Sequence, residues 1–512
     1  MASSNHEIVA VVSPRSIAHV SLFEATAPIT ADNVRDFYSE SADITATSSE
    51  LRKLGFSVLQ EGPVTISIGG SRKLFQDVFG VTLRKEKAEV MKGQEVEFFA
   101  APGEPEGQLL QAPGELTNLI EGVALSVPPI YYQAPSPLPP LAPPDPEAYR
   151  YLFVPDEVGL LLNAARVHRR WATGKGVKVA MCDTGFYRHP FYNWHGYRVN
   201  STVLGPGATD PTKDDYSHGT GEAANIFATA PDAELTPIKM GDPVGSFSAA
   251  VAENPQVITC SWGLTFPEDR SPNALTPYAN ALAAVIASAV ASGIVVCFSG
   301  GNGTWRGFPA GHPDIISVGG VHVNYPFHAS ADFEASDYAS SFDSHFYTGR
   351  HVPDFCGLCG KNFGNTAPLI MLPVEPSSTL DLANTGSTSD GWGIFSGTSA
   401  ACPQVAGVVA LMLEKDPGAT PAHIKDTLIK TATDVKSGSS AMGDPAGPGS
   451  DDATGTGLVN AKWAYINTMG SVLAQFFEAS SETQAEMVAS GRVPRVTREL
   501  VADLLTTLRS SR

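Results

Sequence analysis

The chain has 512 residues, 43% hydrophobic and 17% charged, the proportions of a globular protein with room for one large core and one or two smaller units. A formal net charge of −19 excludes a surface built to hold nucleic acid or anionic lipid. Six cysteines are too few for a disulfide framework at this length, and no apolar run is long enough to span a bilayer.

In chain order, residues 1–7 carry neither a basic region nor an apolar signal region, so the expectation is a cytoplasmic protein or one exported by a non-classical route. Residues 7–12 read as a strand, 49–54 as a helix opened by Ser49, and 56–59 and 64–68 as short strands about the Glu61-Gly62-Pro63 turn. Apolar positions 74, 75, 78 and 79 give residues 71–79 a helical spacing, and 81–83 follows as a strand. Together, residues 1–127 read as a small α+β unit of ferredoxin-like type. Residues 128–150 then turn proline-rich, with Pro135, Pro137, Pro139, Pro140, Pro143, Pro144 and Pro146. That composition favours extended polyproline and cannot pack a core, so it reads as a linker.

Beyond the linker, apolar strands at 177–182, 235–239, 257–260, 294–298 and 315–318 alternate with helical patterns at 218–228 and 278–292. This rhythm predicts an α/β fold, a doubly wound and mostly parallel sheet with helices on both faces. In such sheets, functional groups gather at the carboxyl ends of the strands. Cys182, Cys260 and Cys297 lie in strands and Cys402 in a helix, as buried thiols would. Cys356-Gly357-Leu358-Cys359 is one C-x-x-C pair without the second pair that a zinc site needs.

Four residues carry the chemistry. Asp183 ends a strand in Asp183-Thr184-Gly185, where a carboxylate can orient an imidazole or simply cap a turn. His218, in Ser217-His218-Gly219-Thr220, opens a helix, either as a general base or as a solvated side chain. Asn302 lies between glycines after a strand, either as an amide donor to an oxyanion or as a turn residue. Ser399, in Gly397-Thr398-Ser399-Ala400, stands among small residues at a loop-to-helix junction, either as a nucleophile or as a helix cap.

The order Asp…His…Ser is that of subtilisin, and residues from about 155 to 466 resemble a subtilisin-like serine peptidase. The matching pieces are the run from Thr173 to Gly185, His218-Gly219-Thr220, residues 257–263, Gly301-Asn302-Gly303, the run from Phe308 to Gly320, Gly397-Thr398-Ser399-Ala400 and residues 455–461. The resemblance implies Ser399 as nucleophile, His218 as general acid and base, Asp183 as its orienter and Asn302 as oxyanion donor. It implies that Ser261, Trp262 and Gly263 pair with the substrate backbone and that Gly301 and Gly307 belong to the substrate site, Gly307 at the floor of the primary specificity pocket. One departure is Gly221-Glu222, where the family usually carries a small apolar pair.

Residues 54–63 and 74–80 resemble the activation prodomain of sedolisins, and residues 434–451 resemble their calcium loop. The metal set implied is Asp434, Val435, Gly447, Gly449 and Asp451, carboxylates and backbone carbonyls on a glycine-permitted loop, for a structural Ca²⁺. Sedolisin catalysis is not implied, because an acid is expected there in the oxyanion position. No organic cofactor is expected. The organisation that follows is an activation prodomain at 1–127, the linker at 128–150, a peptidase domain at 151–466 and a helical extension at 467–512, where Val501, Leu504, Leu505 and Leu508 keep a helical spacing. The expected partners are a protein or peptide substrate and the chain's own prodomain as inhibitor. The function read is hydrolysis of peptide bonds by a serine endopeptidase made as a zymogen. A peptide ligase or cyclase using the same triad, or a catalytically silent peptide-binding scaffold, are the alternatives.

Overall fold

A computed structural model of the chain describes residues 8–25, 27–91, 94–101, 109–114, 116–131, 152–265, 275–324, 332–361, 370–385, 389–395 and 397–468. Most of the linker and the positions 501–508 singled out in the C-terminal segment lie outside these residues.

The N-terminal part is built on an antiparallel sheet in which Ile8–Pro14 lies between Ile66–Gly70 and Ile120–Leu125. Ser57–Glu61 flanks it on one side and Leu109–Leu110 on the other. One helix, Ser41–Leu54, begins well before Ser49 and ends where Gly55 turns left-handed at φ +101°. The second, Arg72–Phe79, is capped by the Ser71 side chain, which accepts from Leu74 N. Residues 81–83 are not a strand. The strand starts at Arg84 and runs to Met91, paired with Gln94–Ala100 in a hairpin. Its residues are charged, Lys85 bridging Glu97 and Lys87 bridging Glu95, so apolar patterning does not reveal it.

The large sheet has the order Arg198–Val199, Glu234–Lys239, Lys178–Asp183, Val257–Cys260, Val295–Ser299, Ile316–Asn324 and Asp332–Ala335. All its pairings are parallel up to Ile316–Asn324, against which Asp332–Ala335 runs antiparallel. Alternate residues of a strand face opposite sides, and the two cores follow that parity. Val179, Met181, Val257, Val295 and Cys297 pack with the helices His218–Thr229 and Thr398–Lys415. Ala180, Cys182, Ile258, Cys260, Val296 and Phe298 pack with Pro243–Ala252 and Pro277–Ala291. Continuing the count, Asp183 and Ser261 belong to the side of His218 and Ser399. All six cysteines are buried free thiols, Cys356 and Cys359 included.

The second core is shared with the N-terminal part. Leu22, Phe23, Ile29, Val34 and Phe37 are buried in it beside Phe247, Tyr278 and Leu282. Beyond its own sheet, the N-terminal part sends Ile130–Tyr131 to pair antiparallel with Trp262–Thr265, which follows the large-sheet strand Val257–Cys260, Ile130 opposite Gly263 and Tyr131 opposite Trp262. No helix among the described residues is long and apolar enough to cross a membrane.

The helices that begin at His218 and Thr398 pack side by side, and Gly407 is where they touch. A Cβ at this position would stand 2.0 Å from Thr229 Oγ1 and 2.6 Å from the Ile226 carbonyl oxygen. Gly407→Ala should therefore push the helices apart and cost about 1–3 kcal/mol of folding free energy. Denaturant unfolding followed by circular dichroism measures it, and a midpoint equal to that of the parent chain would refute the close-contact account.

Candidate active site

Asp183 is the last residue of its strand, and its Oδ1 accepts from His218 Nδ1 at 2.7 Å. His218 is the first residue of its helix, entered through Ser217 at φ +62°. Gly219 permits this approach, because a Cβ there would meet the Gly185 carbonyl oxygen at 2.4 Å and Asp183 Cβ at 2.9 Å. Thr184 N also donates to Asp183 Oδ1, at 2.8 Å, fixing the carboxylate plane. Both partners of the pair are buried. Burial alone would draw the imidazole pKa down, but the charge of Asp183 and its hydrogen bond outweigh that and raise it to about 9.

A second carboxylate, Asp214, holds the frame in place. It accepts from Thr184 Oγ1 at 2.6 Å and from Thr220 N at 2.7 Å, and Gly219 N donates to Thr184 Oγ1 at 3.0 Å. The start of the His218 helix is thus tied to the end of the Asp183 strand through Thr184 and Asp214. Burial raises the Asp214 pKa, opposed by the hydroxyl and amide donors around it. Sequence reasoning did not single out Asp214. Its signal was an Asp four positions before the His at a helix start, a spacing shared with ordinary caps.

Ser399 is the second residue of the helix Thr398–Lys415 and is buried at the end of the sheet. Its Oγ donates to the Ser261 carbonyl oxygen at 3.2 Å, and Ser261 Oγ donates to the Ser399 carbonyl oxygen at 2.9 Å. Asn302 lies on the other side: Thr398 N donates to its Oδ1 at 2.9 Å. Because Thr398 engages the oxygen end, the Nδ2 end of that amide is turned away from Thr398. Gly301, at φ +107°, donates its N–H to Thr398 Oγ1 at 3.1 Å. The residues 301 and 302, from one strand end, are thereby locked to residues 398 and 399 at the helix start.

Ser261, Trp262 and Gly263 lie along the edge that Ile130–Tyr131 pairs with. The Trp262 ring itself points into the core, where Nε1 donates to the Cys182 carbonyl oxygen at 3.0 Å. Its part at this edge is therefore its backbone. Gly307 is buried and pairs with Thr265 in the antiparallel Gly307–Phe308 strand, which with Ile130–Tyr131 flanks Trp262–Thr265 in a three-stranded sheet. Glu222, noted in the sequence only as a departure, lies one turn after His218 with Oε1 3.7 Å from His218 Nε2.

Asp434, Val435, Gly447, Gly449 and Asp451 come together in one loop cluster. Asp434 Oδ1 accepts from Gly449 N at 3.0 Å and Asp451 Oδ2 from Gly447 N at 2.9 Å. Among the described residues no three His, Cys, Asp or Glu side chains converge as a metal-holding group. Two carboxylates plus glycine-loop carbonyls still form a hard oxygen donor set suited to Ca²⁺. Lys436 Nζ, 3.5 Å from Asp434 Oδ2, would have to yield its place.

Comparison with known proteins gives the chain's relatives. The profile of the subtilase family matches residues 174–457. Subtilisin E of Bacillus subtilis (strain 168) is 32% identical over 297 residues, 53% of this chain and 64% of that protein. Subtilisin of Bacillus pumilus is 31% identical over 297 residues and is 89% covered. Serine protease AprX of Bacillus subtilis (strain 168) is 29% identical over 296 residues, 51% of this chain and 62% of that protein. The match thus spans slightly less than two thirds of the Bacillus subtilis relatives. Among solved structures, fervidolysin from Fervidobacterium pennivorans has a TM-score of 0.51 at 18% identity, covering 91% of this chain and 62% of its own, a likeness of fold.

Proposed function

Because this chain belongs to the subtilase family, we propose that it is a serine endopeptidase made as a zymogen, with Ser399, His218, Asp183 and Asn302 as its catalytic groups. The observation that carries the reading is the buried Asp183–His218 bond beside a serine at a helix start. A peptide laid antiparallel along Ser261, Trp262 and Gly263 would bring its carbonyl carbon to Ser399 Oγ. As Oγ attacks, its proton passes to His218 Nε2, and Asp183 neutralises the imidazolium through Nδ1–H. The carbonyl oxygen, now an oxyanion, receives bonds from Asn302 Nδ2 and Ser399 N, each such donor contributing about 3 kcal/mol. Collapse breaks the C–N bond, and His218 hands its proton to the departing amine. Water then gives a proton to His218 and attacks the ester, and Ser399 Oγ takes the proton back as the acid leaves.

A serine-directed fluorophosphonate should label the processed protein, and Ser399→Ala should abolish labelling. Labelling that persists in the variant overturns the choice of nucleophile.

Residues 1–127 serve in this proposal as an inhibitory prodomain and 128–150 as its tether. The pairing of Ile130–Tyr131 with Gly263–Trp262 supports it, since the chain's own segment then lies where a substrate strand would lie. Incubated protein should be cut in the 132–151 stretch, close behind Tyr131, as read by N-terminal sequencing. An active chain that stays at full length rules out the zymogen reading.

A structural Ca²⁺ held by the Asp434 and Asp451 carboxylates and by carbonyls of Val435, Gly447 and Gly449 completes the proposal. Chelator should lower the melting temperature of the protein and added Ca²⁺ restore it, whereas identical melting curves would mean that the loop is held by its own hydrogen bonds.

A further inference from the structure

Glu222 is a buried acid in the heart of the site, and the reaction as written does not use it. It follows His218 by four positions on one helix, so both side chains lie on the same face. Asp183 occupies the Nδ1 side of the imidazole at 2.7 Å, while Glu222 Oε1 approaches the Nε2 side at 3.7 Å. The other Glu222 oxygen accepts from Asn225 Nδ2 at 3.0 Å, and Asn225 Oδ1 accepts from Gln404 Nε2 at 3.0 Å. Gln404 in turn accepts from Leu358 N at 2.8 Å and belongs to the Ser399 helix. A buried polar chain therefore runs from beside the catalytic imidazole to the helix that carries the nucleophile.

We infer that Glu222 is a positioning residue for the reaction: a second carboxylate on His218, set at the nitrogen that must receive the serine proton, which ties the imidazole to the Ser399 helix and shifts activity toward alkaline pH. The inference rests on the peptidase reading. Its physical basis is that a buried carboxylate near Nε2 stabilises the imidazolium, the form that cannot act as base. Burial lifts the Glu222 pKa to about 8, with His218 pulling it down and Asp183 pushing it up. Glu222 and Asp214 add to the upward push on His218. The charged and titratable neighbours are Asp183 from the sheet, His218 on the same helix, Asp214 from the preceding loop, and the thiols Cys359 and Cys402, which burial keeps protonated. Glu222 and His218 titrate as a pair, so the acidic limb of the rate profile belongs to both.

The sign is fixed. Removing the Glu222 charge lowers the pKa of the base, so the base is neutral, and active, at lower pH. The measurement is the rate of fluorophosphonate labelling of the processed protein between pH 5 and pH 10. Glu222→Gln keeps an acceptor for Asn225 and should move the midpoint of the acidic limb down by about half a pH unit, the two profiles converging well below pH 8, where the parent Glu222 is protonated, and again above the limb, where the base is neutral in both. A purely structural tie would leave the limb in place. An unmoved limb in a folded variant overturns the inference. Should the Gln variant not accumulate, Glu222→Val takes its place with the same expected shift, and failure of both to fold marks the carboxyl as a structural tie and overturns the inference too. A parent chain that is never labelled sinks the peptidase reading and this one with it. A labelled parent with an unshifted variant sinks this one alone.

Discussion

The bond between Asp183 and His218 is the constraint around which the rest of the structure is arranged. Two ionisable groups are taken out of water together, which is tolerable only when each has partners of good geometry. Thr184 N and the imidazole satisfy Asp183 Oδ1, and Thr184 links onward to Asp214, which seizes the first turn of the His218 helix. The absence of a side chain at Gly219 lets that turn press on the strand end. A buried pair of this kind does not earn its place by adding stability. It holds one nitrogen of the ring so firmly that the other has a defined direction, as an acid–base group must.

Strand parity brings Ser399 to the same side of the sheet as that ring. Asp183 and Ser261 end their strands on the side facing the helices of His218 and Ser399, and Gly407 lets those helices touch. Thr398 then clamps Asn302 by its oxygen end, so the orientation of the amide is set by the same turn that presents Ser399. Ser399 and Asn302, the nucleophile and oxyanion donor of the proposed reaction, are thus held relative to each other by the Thr398 N–H and hydroxyl on the Asn302 oxygen and by the Gly301 N–H on Thr398 Oγ1. This is preorganisation in its plainest form: the donors are held by the fold before any charge develops.

The large sheet was legible because its strands are continuous apolar runs, and Val257–Cys260 begins and ends where the pattern predicts. The N-terminal part was less so. Ser41–Leu54 opens with Thr-, Ser- and Asp-containing turns of low helix propensity, and the Arg84–Met91 hairpin is held by cross-strand charge pairs, so neither carries the expected signal. The segment holding Leu22, Phe23, Ile29, Val34 and Phe37 has too little regular structure to show a period, although it fills the core against Phe247 and Tyr278. In the site, residue types with unusual chemistry in unusual places were readable. Asp214 and Thr398 were not, because their work is to hydrogen-bond neighbours that only the fold brings near. Glu222 was visible as an oddity, but its meaning needed the distance to Nε2.

The extent of that shared core bears on how the proposed zymogen would open. Leu22, Phe23, Ile29, Val34 and Phe37 are buried with Phe247, Tyr278 and Leu282 of the large-sheet part, and His312 Nε2 donates to the Ile29 carbonyl oxygen at 3.0 Å. Between the two parts Asp242 is buried, accepting from Tyr278 Oη at 2.6 Å and from Gly245 N at 2.6 Å, and Ser126 Oγ of the N-terminal part lies 3.4 Å from Tyr278 Oη. An apolar contact with a satisfied buried carboxylate at its centre has the character of a lasting interface rather than a transient one. Cutting the tether abolishes only the high effective concentration that the linker imposes and leaves every one of these contacts in place. In this reading, cleavage near Tyr131 is necessary for activity but not sufficient, and the step that uncovers the cleft is the dissociation or destruction of the severed N-terminal part.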